Sequence, residues 1–187
     1  MNELLFDGVN SLAGRADALD SAARFLANDG IYVLAGLLAI LGLVELRRNL
    51  PFALFVAASA TFALVITGGL ILVAGHLVVE QRPFVGDHDT VLLIKHAADN
   101  GFPSDHASVS AAMAVVGMLA WRRWIPVLAA LLFITGLARV VVGVHLPGDI
   151  LAGWIGGTAA ALLAWRALQL VIQRLGKEVP LRDPSSA

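Results

Sequence analysis

The chain has no cysteine, so disulfides and thiolate metal sites are excluded, although that absence says nothing about redox compartment. Charge is scarce as well. Charged residues make up 14% of the sequence, against about 25% in an average soluble domain. No group of carboxylates is placed to hold Mg²⁺, and there is no internal repeat or low-complexity tract. The N-terminus lacks the basic n-region and compact apolar core of a cleaved signal peptide. The first membrane span is therefore expected to act as the insertion signal. What remains is hydrophobic: 58% of 187 residues, with a mean hydropathy of +0.81. Length and composition point to an all-α integral membrane protein. It is expected to form one domain over residues 1–175, followed by a disordered cytoplasmic tail at 176–187.

Five spans are expected. The first runs from about Gly30 to Leu46, with a possible extension back through Phe25. The others run from Phe52 to about Val79, Ser104 to near Trp121, Ile125 to about Val144, and Ile150 to about Val171. Residues 1–25 carry Leu5, Val9, Leu12, Ala16 and Leu19 at helical spacing, which predicts an interfacial helix. The one long connection, Glu80 to Pro103, is expected to be functional, with a short surface helix at Thr90–Ala98. Gly153 and Gly157 form a G-x-x-x-G pattern. It is expected to pack helices within the chain, with dimerisation as the alternative. Oligomeric state is not legible.

Arginine placement predicts orientation. Arg47 and Arg48, Arg122 and Arg123, and Arg166, Arg174, Lys177 and Arg182 gather at one set of span ends. The positive-inside rule makes that side cytoplasmic. The opposite side then carries Arg82, the segment Phe102-Pro103-Ser104-Asp105-His106, and Arg139 with His145 and Asp149.

Those residues need a reason. An ionisable side chain at a membrane helix centre costs about 2.5–3.5 kcal/mol on insertion scales. Ser104 follows Pro103 and precedes an apolar run, the position of an N-cap. The helix end behind it offers free amides to an anion, and His106 stands in the first turn. Arg139 lies in an apolar run and should face the bundle interior. His145 and Asp149 are four residues apart across Pro147-Gly148, so the carboxylate can orient the imidazole. Arg82 offers the planar fork that suits phosphate. Taken singly, each has a bland alternative: a capped helix start, an interfacial ion pair, a snorkelling arginine. Together they make an anion site on one membrane face, with a nucleophile and a proton donor.

The set resembles the PAP2 phosphatase superfamily. Its signature is a lysine, six residues and Arg-Pro; then Pro-Ser-Gly-His; then Ser-Arg, five residues, His, three residues and Asp. Here the parts read Gly75 to Arg82-Pro83, Pro103-Ser104-Asp105-His106, and Ala138-Arg139 to His145 and Asp149. Gly75 replaces the lysine, Asp105 a glycine and Ala138 a serine. The lost lysine and the aspartate between Ser and His are similar to the bacitracin-resistance branch, the undecaprenyl-diphosphatases.

The resemblance implies a PAP2-type membrane bundle that hydrolyses a polyprenyl diphosphate lipid to the monophosphate. The site would lie on the periplasmic or extracellular face of a bacterial plasma membrane. It implies His145 as nucleophile, Asp149 as its orienter and His106 as proton donor. Arg82, Ser104, Arg139 and Asp105 would form the phosphate-binding site. Lys95 or His96 would stand in for the missing lysine. No cofactor, metal or nucleic acid is expected; the lipid substrate and the bilayer are the partners. A broader lipid phosphatase acting on phosphatidylglycerol phosphate or phosphatidate is the alternative. A non-catalytic lipid-phosphate transporter is a further one.

Overall fold

A bilayer leaves every backbone N–H and C=O to find its partner inside its own segment, so each long apolar run closes into a helix. The computed structural model describes residues 2–86 and 89–181. Its elements are α1 (Asn2–Asn10), α2 (Asp17–Arg48), α3 (Leu50–Leu77), α4 (Pro83–Gly86), α5 (Asp105–Ala120), α6 (Ile125–Val141) and α7 (Pro147–Arg174). A 3₁₀ turn, Arg122–Trp124, leads into α6. Four segments are long and apolar enough to cross a membrane: α2, α3, α6 with its leading turn, and α7. Large side chains such as Tyr32, Phe62, Val65 and Ile155 stand exposed on them, as a lipid-facing surface requires.

The third expected span is shorter than the rest. Helix α5 has 16 residues, about 24 Å at 1.5 Å per residue. It touches α2, α3, α6 and α7, so it is the core of the bundle. Its buried positions are small: Ala107, Ser108, Ala111, Ala112, Ala114 and Gly117. Small residues let neighbouring backbones come close. The tightest approach is to α7. A Cβ at Gly157 would lie 2.1 Å from Ser108 O, and one at Gly153 would lie 2.9 Å from Ser104 O. The G-x-x-x-G pattern therefore serves packing inside the chain.

Several expected boundaries move. The first span begins at Asp17, not near Gly30. Asp17 and Asp20 sit in its first turn, where acids complement the helix dipole, and Asp20 Oδ1 accepts the Gly14 N–H. The interfacial helix shrinks to α1. It packs on α6 and α7, with Phe6 and Asn10 buried. Asn2 Oδ1 accepts from Gly148 N–H, one of the amides freed at the start of α7. Pro147-Gly148 is no break between His145 and Asp149; it is the first turn of α7. Span four stops at Val141, where the chain turns through Gly143 at φ +85°. A Cβ there would lie 2.7 Å from Val91 O, so glycine answers both backbone and space.

No helix forms at Thr90–Ala98. Its backbone groups are claimed by other elements. Asn10 pairs with Val91 through both N–H and C=O, at 2.9 Å each. Leu93 N–H donates to Val142 O, and Arg24 Nε donates to Leu93 O. The tail is ordered as far as it is described. Val179 packs on the core, and Asn49 Nδ2 donates to Leu181 O. The expectation for residues 182–187 lies outside the described residues.

The long loop is fastened by one side chain. Asn100 Nδ2 donates to Gly75 O and Val78 O, each at 2.9 Å. Its Oδ1 accepts from Glu80 N–H at 2.9 Å and Phe102 N–H at 3.1 Å. The end of α3 is thereby tied to the approach to α5.

Two expectations follow. Gly157→Val should force α5 from α7 and cost at least about 1–3 kcal/mol, as overpacking does. Gly156, which has nothing within 4 Å of its would-be Cβ, should tolerate alanine. Thermal unfolding in detergent compares them. Asn100→Asp keeps the acceptor but turns the donor that faces two carbonyls into a second acceptor. It should lower stability by about 1–3 kcal/mol and open the 80–103 loop to limited proteolysis.

Candidate active site

The turn at Gly143 delivers His145 to the start of α7, and Asp149 lies one turn on. Both are almost fully buried, His145 at 2% and Asp149 at 1% exposure. Asp149 Oδ2 accepts the Leu146 N–H at 2.9 Å and stands 3.4 Å from His145 Nδ1. With the carboxylate facing Nδ1, that nitrogen is assigned the proton and the lone pair is on Nε2. Burial, then the cations Arg139 and Arg82, keep the His145 imidazole well below its ordinary pKa. It is neutral at neutral pH, the form in which imidazole is a nucleophile or base.

Arg82 reaches this ring from the end of the α3 connection. Its Nη1 lies 3.2 Å from His145 Nε2 and donates to Val144 O at 2.9 Å. Its Nε donates to Asp99 Oδ1 at 2.7 Å. That charge-assisted bond holds the exposed Asp99 carboxyl below the usual carboxylate range. Arg139 comes from α6 and is also buried. Its Nη1 donates to Ala27 O at 3.1 Å, and Nη2 lies 3.3 Å from His96 Nε2. Its Nε is buried with no partner. A buried guanidinium N–H without an acceptor is an incomplete site, and an anion completes it.

Ser104 begins α5 as expected. Its Oγ accepts the Ala107 N–H at 3.5 Å, and its own N–H donates to Asp149 O at 3.2 Å. The N-terminal amides of α5 and the start of α7 thus meet. His106, half-buried on that first turn, lies within electrostatic reach of Arg139, His145, His96 and Arg82. Asp105 is exposed on the rim.

The structure therefore brings His145, Asp149, His106, Arg82, Arg139, Ser104 and His96 together at one end of the bundle. The His96 and His145 ring centres are 6.5 Å apart, and His96 Nδ1 lies 3.9 Å from Asp99. Lys95, by contrast, is exposed and has no hydrogen bond or ion pair among the described residues. Two residues here escaped the sequence reading, Asp99 and Asn100. With Gly101 they form a turn-rich triplet before Phe102-Pro103. That signal announces a turn but not a clamp on Arg82. No cluster of three metal-ligating side chains occurs among the described residues.

Comparison with known proteins identifies the family. The PAP2 superfamily matches residues 53–172, a stretch that holds Arg82, Ser104, His106, Arg139, His145 and Asp149. YbjG of Escherichia coli (strain K12), whose undecaprenyl-diphosphatase assignment is provisional, is 32% identical over 181 residues. The match covers 96% of this chain and 86% of that protein. Undecaprenyl-diphosphatase BcrC of Bacillus subtilis (strain 168) is 31% identical over 91% of this chain and 86% of its own. The crystal structure of Aquifex aeolicus LpxE superposes with a TM-score of 0.71 over 87% of this chain and 93% of that one, at 22% identity. That likeness shows the fold. Sequence match and helical frame agree: the chain belongs to the PAP2 superfamily, as a multi-pass membrane phosphatase.

Proposed function

We propose that the chain hydrolyses undecaprenyl diphosphate, or a related polyprenyl diphosphate, to the monophosphate and inorganic phosphate. His145 Nε2 attacks the terminal phosphorus. The bond to the bridging oxygen breaks, and that oxygen leaves with a proton from His106. The phosphohistidine is then attacked by water, which gives its proton to His106, and inorganic phosphate departs. Asp149 keeps the imidazole in its attacking orientation. Arg82, Arg139, Ser104 and the α5 amides hold the oxygens on which charge develops. His96, beside Arg139, serves the second phosphate in place of the missing lysine. Asp105 would repel a phosphate, so this reading gives it no phosphate oxygen to hold.

The observation that carries the proposal is the unpartnered Arg139 Nε in a site with a neutral, oriented histidine. Such a site is short of an anion and equipped to attack one. A groove of about 360 Å³ supports a lipid substrate. It lies between α3 and α7, lined by Thr67, Ile71, Ala74, Phe102, Pro103 and Ile155, and reaches the residue before Ser104. Relatives named as undecaprenyl-diphosphatases favour the diphosphate over phosphatidate or phosphatidylglycerol phosphate.

Phosphate release from detergent-purified protein tests this, with undecaprenyl diphosphate, phosphatidate and phosphatidylglycerol phosphate side by side. The diphosphate should be preferred, and EDTA should leave the rate unchanged, because arginines and amides already supply the positive charge. His145→Ala should lower kcat by about 10⁴-fold or more, whereas Asp149→Asn should retain measurable turnover. Wild type quenched in alkaline detergent should carry label from terminal-phosphate-labelled substrate, and that label should survive base and be lost in acid. A near wild-type rate in His145→Ala would end the phosphohistidine mechanism, and binding without release would favour a transporter.

On this reading the site faces the periplasmic or extracellular side of a bacterial plasma membrane, a proposal supported by the arginine pairs at the opposite ends of the spans. Val85, exposed beside α4's proline, reports on this. Val85→Cys in the otherwise cysteine-free chain should react with an impermeant maleimide in intact cells. Labelling only after lysis inverts the topology.

A further inference from the structure

Asp149 is satisfied on one side only. Its Oδ2 serves the Leu146 N–H and His145 Nδ1. Its Oδ1 is buried, and no backbone N–H or other charged donor reaches it among the described residues. A buried carboxylate oxygen left bare is costly, and this one belongs to the group that orients the attacking histidine. The neighbour placed to serve it is another carboxyl, that of Glu80, which meets Asp149 at Gly101 and is coupled to it electrostatically.

The backbone fixes Glu80 in that place. Its N–H donates to Asn100 Oδ1 at 2.9 Å. Its carbonyl accepts the Gly101 N–H at 2.8 Å. At Gly101 the elements converge. A Cβ there would lie 3.4 Å from Glu80 O, 3.5 Å from Arg82 Cγ and 3.6 Å from Asp149 Oδ2. Glu80 is half-buried. It lines a cavity of about 490 Å³ with Glu3, Asp7, Gln81 and Arg82, so Glu80 stands at the edge of the site and approaches the buried Asp149 from there.

Two carboxylates in contact repel, and a shared proton removes the repulsion. Burial, then the Asp149 charge and the hydrogen bond to it, push the Glu80 carboxyl above its usual range. Asp149 already takes the Leu146 N–H, which favours its charged form, so the shared proton falls to Glu80.

We infer that Glu80 is a positioning residue: as a neutral carboxylic acid it donates its O–H to Asp149 Oδ1, extending the His145–Asp149 pair into a chain of three. The bond does two things. It pins the second oxygen of Asp149, so that Oδ2 stays on His145 Nδ1. It also offsets the cost of keeping Asp149 charged in a dry place. Glu80 touches neither the substrate nor the attacking nitrogen. Its effect should fall on kcat and leave KM nearly unchanged. The inference rests on the proposed role of His145 and Asp149, but not on which lipid phosphate is the substrate.

Glu80→Gln and Glu80→Met test it. Both are uncharged and close to glutamate in size; only glutamine can donate. Each is purified in detergent and assayed on undecaprenyl diphosphate and on phosphatidate, as a ratio to wild type on the same lipid. A failure of the diphosphate assignment appears in wild type as a preference for phosphatidate, and the ratios are read all the same. Glu80→Met should lose about tenfold or more in kcat, the scale set by an unsatisfied buried acceptor. Glu80→Gln should stay within about threefold of wild type, since an amide N–H replaces the acid O–H. On an Asp149→Asn background the two should become equal, because the link they act through is gone. Should Glu80→Met unfold, Glu80→Ala takes its place as the non-donor. Equal kcat in Gln and non-donor variants overturns the inference, since donation then does not matter. So does a non-donor loss that persists undiminished with Asp149→Asn, which would mark a purely structural role.

Discussion

Helices α5 and α7 meet backbone to backbone, and the site exists because they do. Gly153 and Gly157 leave no room for a Cβ against Ser104 and Ser108. At the end of that seam the Ser104 N–H bonds to Asp149 O. Two helix N-termini therefore open at one point, each contributing roughly half a positive charge. Ser104 and His106 come from one, Asp149 and the preceding His145 from the other. A larger residue on the seam would separate the anion-binding amides from the histidine. The small residues of this stretch, ordinary as membrane-helix packing, also set the register of the chemistry.

Electrostatics builds on that contact. The two helix ends are joined by two arginines, and only one of these has a carboxylate partner among the described residues, the exposed Asp99. Arg139 leans on a carbonyl and a histidine instead. Positive charge is thus in excess before any ligand arrives. A proton on His145 would add a further cation in a dry place, so the ring stays neutral. The same excess that attracts an anion keeps the attacking nitrogen unprotonated. Asp99 and Val144 O engage Arg82 meanwhile, so the guanidinium is already aimed at the histidine.

The spacing Arg139, His145, Asp149 was legible because both intervals are local. The chain needs only a turn and the first helical turn of α7 to realise it. Ser104 was legible for the same reason, as a cap before an apolar run. Helix ends were less so. Hydropathy placed the first span near Gly30 because Asn28 and Asp29 read as outside the lipid, yet α2 continues through them to Asp17. Helical backbone bonds do not stop where the lipid does. The extended stretch at 90–98 was misread because its partners, Asn10 and Val142, are far away in sequence. The role of Asn100 was hidden for a related reason. Its four bonds go to backbone atoms, and backbone atoms leave no mark in a sequence.

Asn100 also bears on the missing lysine. In the resemblance, Gly75 occupies the position of a basic residue in the first motif. Here the Asn100 amide bonds to Gly75 O, and a Cβ on Gly75 would already stand 3.6 Å from both Asn100 Nδ2 and Phe102 O. That is ordinary van der Waals contact, so a lysine side chain there would run alongside the asparagine and the Phe102 backbone. Gly75 is thus both the place of the missing lysine and a point where the loop is fastened to the end of α3. The loop so fastened is the segment that carries His96 to Arg139 and Asp99 to Arg82. His96, the proposed stand-in for the lysine, therefore reaches the site from the loop rather than from the last turn of α3.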